Sequence, residues 1–419
     1  MEVNNDLIPH LFRSEYPKIV AVLASVFGFK EIEIAEDITG DTFLIAIETW
    51  GLKGLPENPT AWLYNVAKNN ARNYIKKANL FSGKISPNLE RLTENFEEIQ
   101  IDISQQNISD SQLRVVFAIC DPTIPPKAQI CLALQILCGF GIEEIADALL
   151  SNKETVNKRL FRAKEKLRQK NVKLNFPPDN QIVDRVDTVL TTIYLLFNEG
   201  YYSINKNAVL RKDLCLEAMR LCYLLTENKI TDLPAVNALL ALMCFHASRF
   251  DARVSDNGKF IKYDQQEVKL WNTQLIENGE NYLTRAATGN TISKYHLEAA
   301  IAFWHTKSSN DPAKWRSILG LYDTLLAIDY SPSASLNRIV AFSKIYGNQK
   351  AIDLAESETV IKNYYYHVLL GELYSTIEVT KALEHYKKAL VLSKTLNDRS
   401  VIESKILNLK EENSASPRN

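Results

Sequence analysis

A helical segment from Ala61 to Lys77 carries side chains whose types suit contact with nucleic acid. At the angular spacing of an α-helix, its polar side chains gather within an arc of about 100°. The arc contains Asn65, Lys68, Asn69, Arg72 and Lys76, with the ring of Trp62 at its edge, and Asn73 is a further candidate for DNA contact on the same helix. Asparagine and arginine read base edges, cations hold phosphates, and an indole offers a stacking surface. This pattern predicts a site for single-stranded or melted DNA, and a solvated amphipathic face is the alternative.

The positive charge that such a site needs is local. From Asn58 to Leu89 the sequence has five basic residues and no acidic one. Over all 419 residues, 49 Lys and Arg face 50 Asp and Glu, which gives a formal net charge of −1. A globally basic nucleic-acid binder is therefore excluded, and phosphate contacts must come from patches.

A second basic segment, Phe140–Lys170, has the pattern of two short helices joined by a tight turn. Apolar residues from Ile142 to Leu149 recur at helical spacing, and Ser151 with Glu154 predicts a capping box at the start of the second helix. That helix has an apolar stripe on one side and, on the other, a polar face that is predicted to bind DNA. The polar face comprises Thr155, Lys158, Arg159, Arg162 and Lys166.

The second helix of this pair is strongly basic, since residues 151–173 contain nine basic and two acidic side chains. A short helix, a turn and a basic second helix are typical of the helix-turn-helix, whose second helix enters the major groove. A basic hairpin that only faces solvent is the alternative.

The elements that position these segments are predicted to be helices throughout, so the fold class is all-α. Gly and Pro number only 14 each, and no alternating strand pattern is evident. We predict a first helical bundle at 1–80, a polar linker at 81–112, a helix-turn-helix unit at 113–174, and a helical domain at 180–419. In the last of these, the 34 residues between Leu336 and Leu370 match the tetratricopeptide (TPR) period.

The sequence favours no catalytic or metal chemistry. It lacks the phosphate-loop, dinucleotide, zinc-protease, nucleophile-elbow and CxxC motifs, and its six histidines are scattered. We therefore expect no enzyme activity, no cofactor and no metal site. Without an apparent signal peptide, an apolar run of ~18 residues or paired cysteines, we expect a cytoplasmic protein without a membrane segment.

The segment Ala35–Ala46 resembles region 2 of bacterial sigma-70-type factors of the extracytoplasmic-function (ECF) group. Asn58–Leu63 and the basic helix after it lie where that group melts and reads the −10 element, and Phe140–Arg168 looks like region 4, which reads the −35 element. The resemblance implies two partners, promoter DNA and core RNA polymerase, with region 2 on the β′ subunit and region 4 on the β subunit.

By the same resemblance, the polymerase contact is formed by Glu36, Asp37, Asp41, Thr42 and Phe43. Gly40 stands where the family usually has Gln.

The resemblance continues beyond the helix-turn-helix. Segments such as Leu196–Tyr201, His296–Ile301 and Leu336–Arg338 are similar to an ECF subgroup with a long C-terminal TPR-like extension. Asp264–Glu267 departs from the Asp-Gln-Asp-Arg that this subgroup carries before Trp271, so no role of that acid–Arg pair is carried over.

The leading hypothesis is a sigma factor whose C-terminal half regulates it by contacting its own sigma regions or a regulatory protein. The alternative is a helix-turn-helix regulator with a TPR sensor domain that acts without being a polymerase subunit. The Ala35–Lys77 block separates the two, because an operator binder does not need it.

Overall fold

The predicted all-α class is confirmed by a computed structural model that describes residues 4–80, 101–149, 151–201, 211–254, 261, 263–307, 311–357, 362–393 and 396–415. Within these ranges the regular elements are helices, and none is a β-strand. Most of the predicted linker, residues 81–100, lies outside the described residues.

The chain divides into two compact units. Unit 1 comprises Met1–Glu199 with Leu216–Asp232, and unit 2 comprises Gly200–Cys215 with Leu233–Asn419. This division falls beyond residue 180, where a change in composition predicts a boundary.

In its described residues, unit 1 has nine α-helices, the last two of which extend into residues of unit 2. They are α1 (Asn4–Phe27), α2 (Ile32–Lys53), α3 (Pro59–Leu80), α4 (Gln105–Ile119), α5 (Pro126–Leu132), α6 (Ile142–Ala148), α7 (Lys153–Gln169), α8 (Ile182–Tyr201) and α9 (Lys212–Thr226). The apolar residues of α1 explain its central place, since Ile19–Ala24 are buried without exception. Helix α1 packs against α2, α3 and α4.

Helix α4 begins inside the segment predicted as linker. The Ser104 side chain caps it by accepting a hydrogen bond from the backbone N–H of Asn107 at 3.4 Å. From Leu113 to Ile119 every residue of this helix except Arg114 is apolar, and every one except Arg114 is buried.

Helices α8 and α9 belong to unit 1 through polar contacts with α4 and α5. The Arg185 guanidinium donates to the Phe117 carbonyl at 2.5 Å, and the Thr192 hydroxyl donates to Gln129 Oε1 at 2.5 Å. Arg220 donates to the Leu137 carbonyl at 2.6 Å. Because these bonds are buried or partly buried, the residues after 180 complete unit 1.

Ten further α-helices lie in the described part of unit 2. They are α10 (Pro234–Ala247), α11 (Phe250–Arg253), α12 (Thr273–Ala286), α13 (Lys294–Thr306), α14 (Pro312–Ile328), α15 (Pro332–Tyr346), α16 (Asn348–Ser357), α17 (Tyr364–Tyr374), α18 (Val379–Leu392) and α19 (Leu396–Ala415). From α12 onward each helix packs against the next one along the chain. Two apolar clusters hold this series, one around Trp315 and Ile318 and one around Leu370 and Tyr386.

None of the helices in the described ranges is long and apolar enough to cross a membrane.

Candidate nucleic-acid interface

Helix α3 is fixed in unit 1 by its capped start and its apolar face. Asn58 Oδ1 accepts a hydrogen bond from the Ala61 backbone N–H at 3.0 Å, and Pro59 occupies the first turn, where its missing N–H costs nothing. Four residues at intervals of four are buried: Leu63, Ala67, Ala71 and Ile75. This stripe leaves the opposite side of α3 to solvent.

The predicted −10 residues lie on that solvent side. Asn65, Asn69, Arg72, Asn73 and Lys76 are exposed, and Lys68 is half-buried. Trp62 is also half-buried, and its ring meets the ring of Trp50 edge-on, with centroids 5.2 Å apart. The structure thus brings the polar residues together on one face, while part of the Trp62 ring is already covered.

Helices α6 and α7 form the predicted pair of short helices. The apolar face of α7 is buried through Val156, Leu160, Ala163 and Leu167, as its spacing predicts. The predicted N-cap is wrong by one residue. Asn152, not Ser151, caps α7, and its Oδ1 accepts from the Thr155 backbone N–H at 2.7 Å. Glu154 bonds Lys158 at 2.6 Å instead of closing a capping box.

The predicted −35 residues differ in their solvent exposure and in their bonds to the rest of the protein. Lys158, Arg162 and Lys166 are exposed, whereas Thr155 and Arg159 are half-buried. Lys166 donates to the Thr123 carbonyl at 2.6 Å. Arg162 makes no hydrogen bond or ion pair with the described part of the chain.

A buried ion pair joins α7 to α2, and the sequence pattern does not reveal it. Lys164 Nζ lies 2.8 Å from Oε2 and 3.0 Å from Oε1 of Glu36, and Lys164 is only 8% exposed. Burial raises the pKa of the Glu36 carboxyl, and the Lys164 ammonium opposes that rise. Arg168 adds an ion pair to Glu33 beside it. The predicted polymerase residue Glu36 is therefore engaged by the helix-turn-helix in this structure.

The remaining predicted polymerase residues separate into exposed and buried ones. Asp37 and Asp41 are exposed. Thr42 is fully buried and donates to the Ile38 carbonyl at 2.8 Å, while Phe43 packs edge-on against Phe12 with centroids 5.0 Å apart. Because α2 turns its apolar side inward, Thr42 offers no surface to a partner in this structure, whereas Phe43 lines a groove.

This groove, of about 560 Å³, runs between α1 and α2. Apolar side chains of Phe12, Phe43, Leu44 and Ile47 line it, and Asp37 and Asp41 lie among them. Leu44 and Ile47 are 59% and 50% exposed and lie one turn apart, so they form an apolar surface beside the two carboxylates. The signal that could have found them is the spacing of Gly40, Leu44 and Ile47, which repeats at helical intervals on the acidic face.

Among the described residues, no group of three or more His, Cys, Asp or Glu is placed to hold a metal ion.

Family models match three parts of the chain. The model for sigma-70 region 2 matches residues 11–80, and the model for sigma-70 region 4 matches residues 122–167. The chain is a sigma-70-type factor of the ECF-like kind. The region 2 match covers most of α1 with α2 and α3, and the region 4 match covers α5–α7. A third model, described as a family of unknown function (DUF6596), matches residues 185–287, so a C-terminal extension follows the sigma regions.

Two curated relatives are similar to the chain, and one of them carries a sigma-factor name. An uncharacterized protein of Rhizobium meliloti is 29% identical over 392 residues, which is 92% of each chain. The ECF RNA polymerase sigma-E factor of Haemophilus influenzae is 30% identical over 117 residues, covering 26% of this sigma factor and 59% of the relative. No solved structure is significantly similar to the chain.

Proposed function

We propose that this sigma factor directs core RNA polymerase to specific promoters, with α3 on the melted −10 element and α7 on the −35 element. The observation that carries the proposal is the exposed row of Asn, Arg and Lys on α3, inside the segment that matches region 2. Amides and guanidinium groups recognise base edges, and the acid-free surroundings favour phosphates. The protein acts in the cytoplasm, where polymerase and promoters meet, and it supplies specificity rather than catalysis.

The proposed polymerase contact on region 2 is the groove between α1 and α2. Apolar Leu44 and Ile47 offer surface to an apolar helix face, while Asp37 and Asp41 offer charge to basic residues of the partner. We assign this face to the β′ subunit and region 4 to the β subunit. Thr42 supports the contact only indirectly, by holding the helix that carries the groove.

The C-terminal half is proposed to regulate access to polymerase, by contacting the protein's own sigma regions or a separate regulatory protein. Unit 2 supports this role because its consecutive packed helices form an extended scaffold of the kind that binds peptides and domains. The TPR-like assignment belongs to this proposal.

Binding to core polymerase is the experiment that separates a sigma factor from an operator binder. We expect the full-length protein, labelled with a fluorophore, to bind purified core polymerase in an anisotropy titration. Leu44→Asp combined with Ile47→Asp reverses the character of the groove and should weaken binding at least ~10-fold, because apolar contact is replaced by buried charge. Val183→Asp, at a 64% exposed position outside the groove, is the control. Absence of binding by the wild type would support the operator binder.

A further inference from the structure

Two cations are buried close together in unit 2. Arg249 lies between α10 and α11 and is 7% exposed, and Lys314 lies in the first turn of α14 and is 3% exposed. Neither matches the usual behaviour of Lys and Arg, which are almost never buried unless they are paired.

Both cations lie beside the ring of Tyr263. The Arg249 guanidinium carbon lies 5.4 Å from its centroid, and Lys314 Nζ lies 5.6 Å from it. Trp271 and His305 complete the wall, with ring centroids 6.2 and 5.0 Å from that of Tyr263. We call these five residues the buried cation cluster.

The cluster has hydrogen-bond donors in excess. Lys314 Nζ donates to the Tyr263 hydroxyl at 3.2 Å and to the Lys307 carbonyl at 2.5 Å. The Arg249 side chain has no hydrogen bond and no ion pair with any described residue, and its Nε is fully buried. Trp271 Nε1 and His305 Nδ1 are likewise buried without a bond to the described residues. No described carboxylate lies within ion-pair distance of Arg249 or Lys314.

The protein itself compensates this charge only weakly. At 5.4 and 6.0 Å from the Tyr263 and Trp271 rings, Arg249 lies near the outer limit of a cation–π contact, whose energy is smaller than the cost of burying an unpaired guanidinium. Burial, with Arg249 and Lys314 adding to it, lowers the pKa of His305 to about 3, so this ring is neutral. Burial and the charge of Arg249 also lower the pKa of Lys314. An anion would relieve this repulsion.

We propose that the buried cation cluster is a binding site for a small oxyanion, a phosphate or carboxylate group. The Arg249 fork presents paired N–H groups that match two oxygens of such a group, and Lys314 adds a point charge. The Trp271 indole N–H adds a neutral donor. A group with acceptors only and a negative charge satisfies all three, whereas a cation or an apolar ligand satisfies none. Arg249 and Trp271 lie within residues 185–287, which match the family of unknown function. The proposed site would give this part of the chain a role in sensing an oxyanion.

Calorimetric titration of the full-length protein tests the site, with inorganic phosphate and acetate as separate probes and sodium chloride holding the ionic strength constant. We expect one of the two probes to bind, and the one that binds identifies the oxyanion. The same probe should raise the melting temperature of unit 2 by about 3–6 °C at ten times its Kd. Arg249→Gln and Lys314→Gln should each weaken binding at least ~10-fold.

Lys269→Gln is the matched control, because Lys269 is an exposed cation of the same unit that pairs with Glu267. It should bind as the wild type does. Arg249→Lys keeps the charge without the fork and should bind more weakly than the wild type, which tests the site even where Arg249→Gln fails to fold. The proposal is overturned if neither probe binds the wild type, or if the Arg249 and Lys314 variants bind as the control does.

Discussion

At the scale of single residues, the pair of Lys164 and Glu36 determines how the helix-turn-helix sits on α2. Replacing Lys164 with Met leaves a buried carboxylate without its partner, and we expect a loss of roughly 3 kcal/mol in the free energy of unfolding at pH 8. Lys158→Met removes an exposed pair with Glu154 instead and should change stability by less than about 0.5 kcal/mol. Chemical denaturation of both variants measures the difference.

The loss in Lys164→Met should depend on pH. Without the ammonium, the already raised pKa of Glu36 rises further, so the folded variant favours the protonated acid. A group with a raised folded pKa contributes stability at low pH that disappears as the pH rises through that pKa. The stability gap between wild type and Lys164→Met should therefore be small near about pH 4 and grow toward pH 8. A gap that is constant with pH would contradict the buried ion pair.

The exposed row on α3 should act after polymerase has bound. Replacing Asn69, Arg72 and Asn73 together with Ala removes base-reading groups without touching the core, so initiation should fall at least ~10-fold. Affinity for core polymerase should stay within about twofold. Lys77→Ala, an exposed change on the same helix outside the polar arc, is the control. Equal losses of core binding and initiation in the triple variant would show that α3 is a polymerase contact.

Arg162 and Arg159 should differ in their effects on −35 recognition. Arg162 is exposed and has no partner among the described residues, so Arg162→Ala should reduce discrimination between promoter and scrambled duplex by roughly 1–3 kcal/mol. Arg159 is half-buried, so Arg159→Ala should additionally remove the packing of its side-chain stem and lower stability. Competition footprinting and denaturation check the two effects. Unchanged discrimination in Arg162→Ala would exclude it from base reading.

The sequence predicts which face of a helix is buried better than it predicts which residues pair with each other. The spacing of Val156, Leu160, Ala163 and Leu167 identifies the inner face of α7 correctly, because burial follows helical periodicity. Lys164 breaks that rule, since its burial depends on Glu36, 128 positions away in the sequence. Periodicity carries no information on such a partner. The burial of Thr42 and Phe43 is a related case, because a resemblance to a family gives positions but not which way the helix faces.

At the scale of helices, two glycines of unit 2 allow the effect of helix propensity on stability to be distinguished from the effect of side-chain packing. A Cβ on Gly320 of α14 meets no atom within 4 Å, so Gly320→Ala should stabilise the protein by roughly 0.5–1 kcal/mol. A Cβ on Gly371 of α17 would lie 2.5 Å from the Tyr386 ring, so Gly371→Ala should destabilise by roughly 1–3 kcal/mol. Thermal unfolding measures both, and effects of the same sign would contradict the packing of α17 on α18.

The start of α7 shows what local signals leave open. Ser151, with Glu154 at the capping-box spacing, is the predicted cap, whereas the neighbouring Asn152 caps the helix in the structure. Which residue is extended at the helix start decides between them, and Asn152 has φ −99° and ψ 155°. The sequence thus predicts that the helix exists but not the residue at which it begins. Helix α4 begins earlier than predicted because the Ser104 side chain caps it at that point.

At the scale of the whole molecule, the division into two units changes how the regulatory role is tested. A chain that ends near Lys173 loses α8 and α9, whose Arg185, Thr192 and Arg220 bond to unit 1. Such a chain should be less stable than one that ends at Asp232, by several lost buried hydrogen bonds. We expect the Asp232 truncation to keep the helicity of unit 1 and to shift core affinity or promoter output several-fold. Activity identical to the full chain would indicate that unit 2 is an inert extension.

Composition predicts where the helical pattern of the sequence is interrupted but not where a compact unit ends. Pro177 and Pro178 do interrupt the helical pattern, yet α8 bonds to α4 and α5 and α9 bonds to the segment that follows α5, so both helices still belong to unit 1.

Run-off transcription with purified core polymerase tests the central claim most directly. A library of promoter fragments from the source genome is transcribed with core alone, with core plus the full-length protein, and with core plus the Asn69, Arg72 and Asn73 triple variant. The account predicts initiation at defined start sites only when the wild-type protein is present, and at least ~10-fold less with the triple variant. If the protein binds these fragments but core polymerase starts at the same sites and to the same extent without it, the claim that the chain is a sigma factor is contradicted.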